Sequence, residues 1–245
     1  MSIIIDIGNT HSKIVKIVSG ELVESAVFST RSIPEWALKE SAGRDVMIVS
    51  VVPSKTKEAE KAVKKLTGND PYVLCHDHFR NIKSKYLDIN ELGLDRLCNI
   101  AYAVKFHKRN TVVIDLGSAV TFEIINGRSE FEGGMILPGL KLQYEALAKN
   151  TALLPDLKPG SVNYFIGRST AECIRSGVQH GIAAVCNDFV REFKERISSR
   201  LTVVLSGGDA ELMGTLVDFD HIIEKHTVPL GALEIHKMYL KNEAH

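Results

Sequence analysis

The alternation of apolar and polar positions along the chain first indicates pairs of short strands. Residues 2–7 and 12–18 are apolar runs on either side of a glycine-containing turn, which predicts two paired strands. Residues 111–127 contain a second pair of the same kind about a tight turn. Residues 45–53 form a continuous apolar run that ends at a proline and predict a buried strand.

Helical spacing of apolar positions separates these strands. Residues 33–41 begin with a proline near a helix start, and residues 54–68 are amphipathic, with Ser54 as the expected N-cap and Gly68 as the expected end. Residues 94–106 also carry apolar side chains at helical spacing. The mixture of strands and helices predicts an α/β protein.

Two of the strand pairs share a pattern, because "IIIDIGNTHSKIVKI" and "VVIDLGSAVTFEII" both run from β-branched residues through aspartate to glycine. The aligned positions are Asp6 with Asp115, Gly8 with Gly117 and Ser12 with Thr121. A repeat of this kind predicts two similar halves that face a shared cleft. So short a pattern also arises by chance.

Composition narrows the class of protein. The 245 residues are enough for one large or two small domains, and 30 basic residues balance 30 acidic ones. A net charge of zero argues against a general nucleic-acid binder, which is normally basic. No apolar run approaches the ~20 residues that span a bilayer, and no secretory leader is recognisable, so we expect a cytoplasmic protein with no membrane partner.

Cysteine and histidine give weak signals for a metal site. The four cysteines form no CxxC pair and are expected to be small buried side chains: Cys75, Cys98, Cys173 and Cys186. His76 and His78 in "CHDH" could bind a metal, but no third ligand of the right kind lies nearby in the sequence. A solvated turn is the interpretation we favour for that segment.

The turn after the first strand is suited to phosphate chemistry. A carboxylate at a buried strand end, such as Asp6, is costly unless it meets a cation. Gly8 permits close approach of the backbone, and Asn9 and Thr10 add neutral hydrogen-bonding groups. Lys13 in the next strand could reach the same phosphates. A purely structural hairpin turn is the alternative for this stretch taken alone.

A third glycine turn, "LSGGDAE", follows a strand late in the chain and could lie beneath a nucleoside. With the two aspartate turns it would bind a nucleoside triphosphate. The P-loop GxxxxGK[ST], the dinucleotide-binding GxGxxG and the HRD and DFG motifs of protein kinases are absent from the sequence. These three classes of nucleotide-binding protein are therefore not indicated.

Six motifs in order over more than 200 residues resemble the type III pantothenate kinases, which belong to the acetate kinase, sugar kinase, Hsp70 and actin superfamily. "DIGNTHSK" is similar to DxGNTxxK, "YLDINELGLDR" to Y…GxDR, and "DLGSAVTFEIING…EGGMILPGL" to DxGTAxTxD…GGxIxPG. "NTALLP", "GRSTAECIRSG" and "LSGGDAE" follow in the family's order. One such motif would be weak, whereas six in order are specific.

The resemblance implies a fold and an activity. The fold would be α/β, with two RNase H-like halves that form a duplicated actin-like ATPase fold, over residues 1–108 and 109–245, each a mixed sheet flanked by helices. The activity would be ATP-dependent phosphorylation of the primary hydroxyl of pantothenate to 4′-phosphopantothenate, the first step of coenzyme A biosynthesis. Mg²⁺ and a monovalent cation, K⁺ or NH₄⁺, would be required, and the protein would be a homodimer.

The resemblance also implies roles for individual residues. ATP would be bound by Asp6, Ile7, Gly8, Asn9, Thr10, His11, Ser12, Lys13 and Ser118. Pantothenate would be bound by Tyr86, Gly93, Leu94, Asp95, Arg96 and Thr170, the last across a dimer interface. Asp95 would accept the hydroxyl proton, Asp6 would lie near Mg²⁺ and Asp115 would bind K⁺.

General chemistry is compatible with these roles but leaves alternatives open. Asp95 could instead be an ordinary acid at a helix N-terminus, where it would contribute only ~0.3–1 kcal/mol. Three departures from the family pattern occur, with Ser118 for threonine, Glu123 for aspartate and Leu116 for a small residue. A non-catalytic binding relative of the same fold, or a phosphatase or sugar kinase on that fold, remains an alternative.

Overall fold

A computed structural model describes residues 2–19, 21–31 and 44–243. The helix predicted over residues 33–41 lies outside the described residues. The chain forms two compact units, Met1–Lys105 with Thr227–His245, and Phe106–His226. The sequence predicted one division near residue 108, whereas the structure groups the end of the chain with the first unit.

The first unit contains a five-stranded sheet. Its strands are β1 (Ser2–Ile7), β2 (His11–Val18), β3 (Glu21–Ser29), β4 (Asp45–Ser50) and β5 (Tyr72–Val73), in the spatial order β3-β2-β1-β4-β5. The first three strands form an antiparallel meander, and β4 and β5 continue the sheet in parallel from β1. The predicted strand pair at residues 2–7 and 12–18 is thus β1 and β2.

The second unit repeats this arrangement. Its strands are β6 (Thr111–Leu116), β7 (Ala119–Ile125), β8 (Phe131–Pro138), β9 (Thr202–Ser206) and β10 (Ile222–Ile223), in the order β10-β9-β6-β7-β8. Again three strands form an antiparallel meander, and two further strands extend it in parallel. The shared strand order agrees with the repeat seen in the sequence, and both sheets are mixed as predicted.

Helices flank both sheets. In chain order they are α1 (Pro53–Thr67), α2 (Leu94–Phe106), α3 (Leu140–Asn150), α4 (Thr170–Arg196), α5 (Ala210–Gly214) and α6 (Thr227–Glu243). Helix α1 begins at Pro53, one residue before the predicted start, because proline fits the first helical position. It ends at Gly68, which adopts the left-handed conformation with φ 77°.

The helix packed against each sheet determines which sheet face Asp6 or Asp115 occupies. In the first unit, Ile3, Ile5 and Ile7 pack with side chains of α1. Side chains alternate along a strand, so Asp6 lies on the opposite face of the sheet. In the second unit, the alternate residues of β6 pack with α4, which leaves Asp115 on the face away from that helix.

The end of the chain joins the first unit through α6. The Thr227 hydroxyl donates a hydrogen bond to the Asn99 side-chain oxygen at 2.7 Å, and both residues are buried. This contact spans 128 positions of sequence, so no local pattern could reveal it. None of the helices within the described ranges is both long and apolar enough to cross a membrane.

The cysteines divide evenly between core and surface. Cys98 and Cys186 are buried, as predicted for all four, whereas Cys75 and Cys173 are exposed. The prediction was therefore wrong for two of them. Cys75 precedes a short 3₁₀ turn, His76–Phe79, and Cys173 lies in the first turn of α4.

Candidate functional site

The first hairpin turn carries a carboxylate and an ammonium side by side. Asp6 and Lys13 are direct partners in the antiparallel β1–β2 ladder, so their side chains share one face of the sheet. The Gly8 amide donates to the His11 carbonyl at 3.1 Å and closes the turn. This places opposite charges next to the exposed turn, where a phosphorylated ligand could meet both.

Three hydrogen bonds that involve Thr30 support that turn. The Thr30 hydroxyl donates to the Gly8 carbonyl at 2.8 Å, and the Thr30 amide donates to the Thr10 carbonyl at 3.1 Å. The Thr30 hydroxyl has a single proton, which it donates to the Gly8 carbonyl. The Ser12 hydroxyl therefore donates to the Thr30 hydroxyl oxygen, at 2.8 Å. Ser12 and Thr30 are both buried.

Ser12 was predicted to contact ATP, but its side chain is buried on the helix-packed face. The reason is its register, since Ser12 pairs with Ile7, whose side chain is also fully buried. The Ile7 carbonyl accepts a hydrogen bond from the Val51 amide at 3.1 Å. The residues of the turn that reach the surface are Asn9 and His11, with Asp6, Gly8, Thr10 and Lys13 partly exposed.

Thr30 was missed by the sequence analysis. The signal that could have found it is the alternating run at residues 21–29, because a third strand there must end beside the turn that joins the first two. Thr30 follows directly after β3 and supports the turn that carries the charges.

Asp95 lies in the first turn of α2. Its Oδ1 accepts a hydrogen bond from the Arg96 amide at 2.8 Å, which fixes the carboxylate at the helix start. A side chain on Gly93 would come within 2.5 Å of the same oxygen, so glycine leaves the room that this carboxylate occupies. Leu94 is partly exposed and Arg96 is buried, with 7% of its surface accessible.

Asp95 and Asp6 both act electrostatically on the buried Cys98 thiol. Burial, and then the negative charges of Asp6 and Asp95, raise the pKa of the Cys98 thiol well above its ordinary value, so the thiol stays protonated. Both negative charges thus act on one side chain inside the first unit. The structure thus brings together residues from two motifs that are about 90 positions apart in the sequence.

The loop ahead of α2 is held by its own polar residues. The Tyr86 amide bonds to the Ser84 hydroxyl at 2.9 Å, and Asp88 caps a 3₁₀ turn through the Asn90 amide at 2.9 Å. His76 donates from Nε2 to the Leu92 carbonyl at 2.8 Å. This gives His76 a structural role next to Gly93 instead of the solvated position that we favoured.

In the second hairpin the aspartate occupies the same place in its strand as in the first, but a different residue lies opposite it in the ladder. Asp115 pairs with Thr121 across the β6–β7 ladder and with Ser206 of the parallel strand β9. Thr121 therefore occupies the ladder position of Lys13, not that of Ser12 as the aligned sequences suggested. The alignment was wrong by one position because this turn is one residue shorter.

Backbone groups converge on the second turn. The Gly139 amide donates to the Ser118 carbonyl at 3.0 Å, and the Asp209 amide donates to the Leu116 carbonyl at 3.0 Å. Gly207 has a φ of 88°, and a Cβ there would overlap the Leu116 carbonyl and lie 2.5 Å from Asp115 Oδ1. The predicted nucleoside turn is therefore packed against the Asp115 turn.

Glu123 lies two residues along β7 from Thr121 and on the same sheet face. It is fully buried and lies opposite Gly134 in the β7–β8 ladder. A longer acid in place of aspartate therefore faces a residue without a side chain.

Thr170 is exposed as the first residue of α4. The helix is capped by Ser169, which accepts from the Glu172 amide at 3.3 Å. Polar side chains of α4 hold the preceding loop, since Gln179 donates to the Gly160 carbonyl at 2.8 Å and His180 to the Tyr164 carbonyl at 3.2 Å. The segment just before Thr170 is therefore fixed.

No group of three or more histidine, cysteine, aspartate or glutamate side chains that could hold a metal occurs in the part of the chain that is described. Mg²⁺ is commonly bound by one or two carboxylates together with substrate phosphates. Asp6, at a strand end beside a turn with exposed polar groups, fits a site of that kind.

The amino-acid sequence is similar to those of known proteins over nearly its full length. Residues 2–192 match the family model described as type III pantothenate kinase. The type III pantothenate kinase of Finegoldia magna is 30% identical and is aligned over 98% of each chain, and that of Persephonella marina is 29% identical over 96% of this chain and 98% of its own.

Solved structures support the fold. A Campylobacter jejuni protein described as a Baf family transcriptional activator superposes with a TM-score of 0.64 at 21% identity, over 98% of this chain and 99% of its own. An ADPNP-bound activator of 2-hydroxyisocaproyl-CoA dehydratase from Clostridium difficile has a TM-score of 0.54 at 13% identity, over 100% and 97%. Such neighbours have the actin-like ATPase fold, which confirms the predicted fold class.

Proposed function

The chain belongs to the type III pantothenate kinase family, which phosphorylates pantothenate on the route to coenzyme A, and we propose that Asp95 and the Asp6–Lys13 turn perform this transfer. The observation that carries the proposal is the position of Val51, whose amide donates to the Ile7 carbonyl at the end of β1 at 3.1 Å and whose side chain lies 3.8 Å from the place of a Cβ on Gly93. A phosphate-binding turn and a candidate base are thereby brought to one place.

The first turn supplies charge for the phosphates of ATP. Phosphoryl transfer depends mainly on positioning and on neutralising charge on the phosphoryl oxygens. Lys13 offers an ammonium, and the turn offers polar groups from Gly8 to His11. Asp6 would hold Mg²⁺, which would supply positive charge to offset that of the phosphates.

Asp95 is the proposed proton acceptor for the pantothenate hydroxyl. A carboxylate held at a fixed position can take the proton as the oxygen bonds to phosphorus. The Arg96 amide at Oδ1 and the space left by Gly93 hold the carboxylate in one orientation. Arg96 is proposed to pair with the substrate carboxylate, a geometry that guanidinium groups favour, and Tyr86 to contact the rest of the substrate.

The second turn is proposed to bind the monovalent cation and part of ATP. The Asp115 carboxylate and the Thr121 hydroxyl share a sheet face, and oxygen atoms of this kind suit K⁺. NH₄⁺ could replace K⁺. Ser118 keeps the hydroxyl of the family's threonine and is proposed to contact the nucleotide, with the Gly207–Gly208 turn beneath the nucleoside.

A homodimer is proposed to complete the pantothenate site through Thr170. The loop just before it presents Phe165 and Ile166, which are 75% and 77% exposed, although hydrogen bonds from α4 hold the loop. Large apolar side chains on a fixed surface are typical of protein interfaces. Sedimentation that shows a fully active monomer at assay concentration would contradict this part of the proposal.

The test is ADP release with Mg²⁺-ATP and a panel of alcohols that includes pantothenate, sugars and glycerol, each in K⁺, NH₄⁺ or Na⁺. We expect ADP to form in proportion to pantothenate and faster in K⁺ or NH₄⁺ than in Na⁺. Release with a sugar instead of pantothenate would favour a sugar kinase. ATP binding without turnover would favour a non-catalytic relative, and equal rates in Na⁺ and K⁺ would contradict the cation site.

A further inference from the structure

We propose that helix α6 positions the catalytic helix α2, with Thr227 and Gly231 as the positioning residues. The inference rests on the proposed role of Asp95, since α6 would act by fixing the helix that carries this carboxylate. It concerns residues outside all the motifs that identified the family, because α6 begins beyond the residues matched by the family model.

The first observation is the hydrogen bond between Thr227 and Asn99. The Thr227 hydroxyl lies 2.7 Å from Asn99 Oδ1, and both residues are completely buried. Asn99 follows Asp95 by four residues, so the two side chains lie on one side of α2, about one helical turn apart. The bond therefore fixes the rotation of α2 close to Asp95.

The second observation is the close approach of Gly231 to Cys98. A Cβ at position 231 would overlap the Cys98 carbonyl oxygen and come within 2.6 Å of its carbonyl carbon. Both atoms belong to the backbone and cannot rotate away, so a glycine is required at this crossing. Cys98 lies three residues after Asp95, on the same side of α2 about one helical turn away.

The third observation is an ion pair farther along α2. Lys105 lies 2.8 Å from Glu234, which is largely buried and is also paired with Lys237 at 2.8 Å. Helix α6 therefore contacts α2 near its middle, at Cys98 and Asn99, and near its C-terminal end, at Lys105. A displacement of about 1 Å in a reacting group can cost about 10²-fold in rate, so loss of this contact should affect the transfer step first.

The test compares Thr227→Val with Thr227→Ser, which keeps the hydroxyl, and with Gly231→Ala. For Thr227→Val we expect kcat to fall at least about tenfold, while the Kd of a non-hydrolysable ATP analogue stays within about twofold of wild type. Thr227→Ser should retain most of kcat. Gly231→Ala should lose more than Thr227→Val if it folds.

Alkylation of cysteines under native conditions provides a readout that needs no turnover. Displacement of α6 should speed alkylation of Cys98, whereas Cys186, buried in the second unit, should stay protected. Mass spectrometry of the alkylated peptides gives both rates in one sample. A rise in both would indicate general loosening and would overturn the proposal.

The remaining outcomes separate this inference from the proposed function. If Asp95→Asn is inactive but Thr227→Val keeps kcat within twofold and Cys98 stays protected, α6 is not a positioning element and the kinase assignment stands. If wild type turns over no pantothenate, or Asp95→Asn is fully active, the proposed function fails, and the positioning of a catalytic helix fails with it. The alkylation rates still show in that case whether α6 restrains α2.

Discussion

The two hairpins at Asp6 and Asp115 have the same topology and differ in what lies across the ladder. In the first unit the partner of the aspartate is the ammonium of Lys13, and in the second it is the hydroxyl of Thr121. The sheets around them have the same strand order. The difference shows that a duplicated fold can give one turn a positive charge suited to phosphate and the other a neutral oxygen suited to a small cation.

The turns are also supported differently. The first is braced by side-chain hydroxyls, with Thr30 bonded to the Gly8 carbonyl. The second is held by backbone hydrogen bonds from Gly139 and Asp209, and neither Gly139 nor Gly207 leaves room for a Cβ against it. Substitutions should therefore affect the first turn through lost hydrogen bonds and the second through steric overlap.

The largest effect expected from this comparison is at Asp95, which only the first unit provides. Asp95→Asn keeps the size and one acceptor oxygen but cannot take a proton, so kcat should fall ~10²–10⁴-fold with KM for pantothenate largely kept. Steady-state kinetics measure this. Asp88→Asn, which retains a capping oxygen, is the control and should remain active. An intact kcat with a raised KM would make Asp95 a substrate-positioning group.

Lys13→Thr tests the comparison directly, because it gives the first hairpin the residue found in the second. Loss of one charged donor at the phosphates should lower kcat/KM for ATP about 10²-fold. Lys16→Thr in the same strand is the matched control, since Lys16 pairs with Glu24 at 2.7 Å instead. Equal activity of Lys13→Thr and wild type would identify Lys13 as a structural strand residue.

Gly207→Ala tests the steric support of the second turn. The positive φ and the overlap with the Leu116 carbonyl should lower the free energy of unfolding by about 1–3 kcal/mol. Urea denaturation compares it with Gly208→Ala, whose added Cβ would meet nothing within 4 Å and should change stability by less than about 0.5 kcal/mol. Similar midpoints for both variants would show that the second turn relaxes easily.

The smallest effect is expected from Glu234→Gln in α6. Burial raises the pKa of this carboxyl, but Lys105 and Lys237 outweigh it and hold the pKa below its ordinary value of 4.5. A lowered pKa stabilises the fold above pH 4.5, and this contribution is lost as the pH falls through the folded-state pKa. The variant should thus be less stable at pH 7, by under about 1 kcal/mol, and equal to wild type in strong acid. Thermal unfolding at several pH values measures the difference, and a constant difference at all pH values would contradict the charge effect.

Local patterns explain why much of the fold was predictable. The strand–turn–strand pattern located both aspartate hairpins, and alternation along β1 is enough to place Asp6 and Ile7 on opposite faces. The motifs also indicated Asp95 and the residues around it, whose roles stay predictions. What failed was the alignment of Ser12 with Thr121, because a turn one residue shorter changes the register of the whole second strand.

Long-range contacts account for the rest. Thr227 and Gly231 belong to no motif. In the sequence, their partners Asn99 and Cys98 are recognisable only as residues of an amphipathic helix. The sequence likewise does not distinguish Thr30 from other threonines until the position of β3 in the sheet is known. Each of these residues acquires its role only from an element that is distant in the sequence.

The return of α6 to the first unit has a consequence for synthesis on the ribosome. The 120 residues 107–226 are translated between α2 and α6. At ~10 residues per second, roughly ten seconds pass before Thr227 can reach Asn99. A nascent or prematurely terminated chain can hold every motif of the first unit and still lack the helix that restrains Asp95. Pantothenate phosphorylation would then begin only after α6 has left the ribosome, so that chains without α6 consume no ATP.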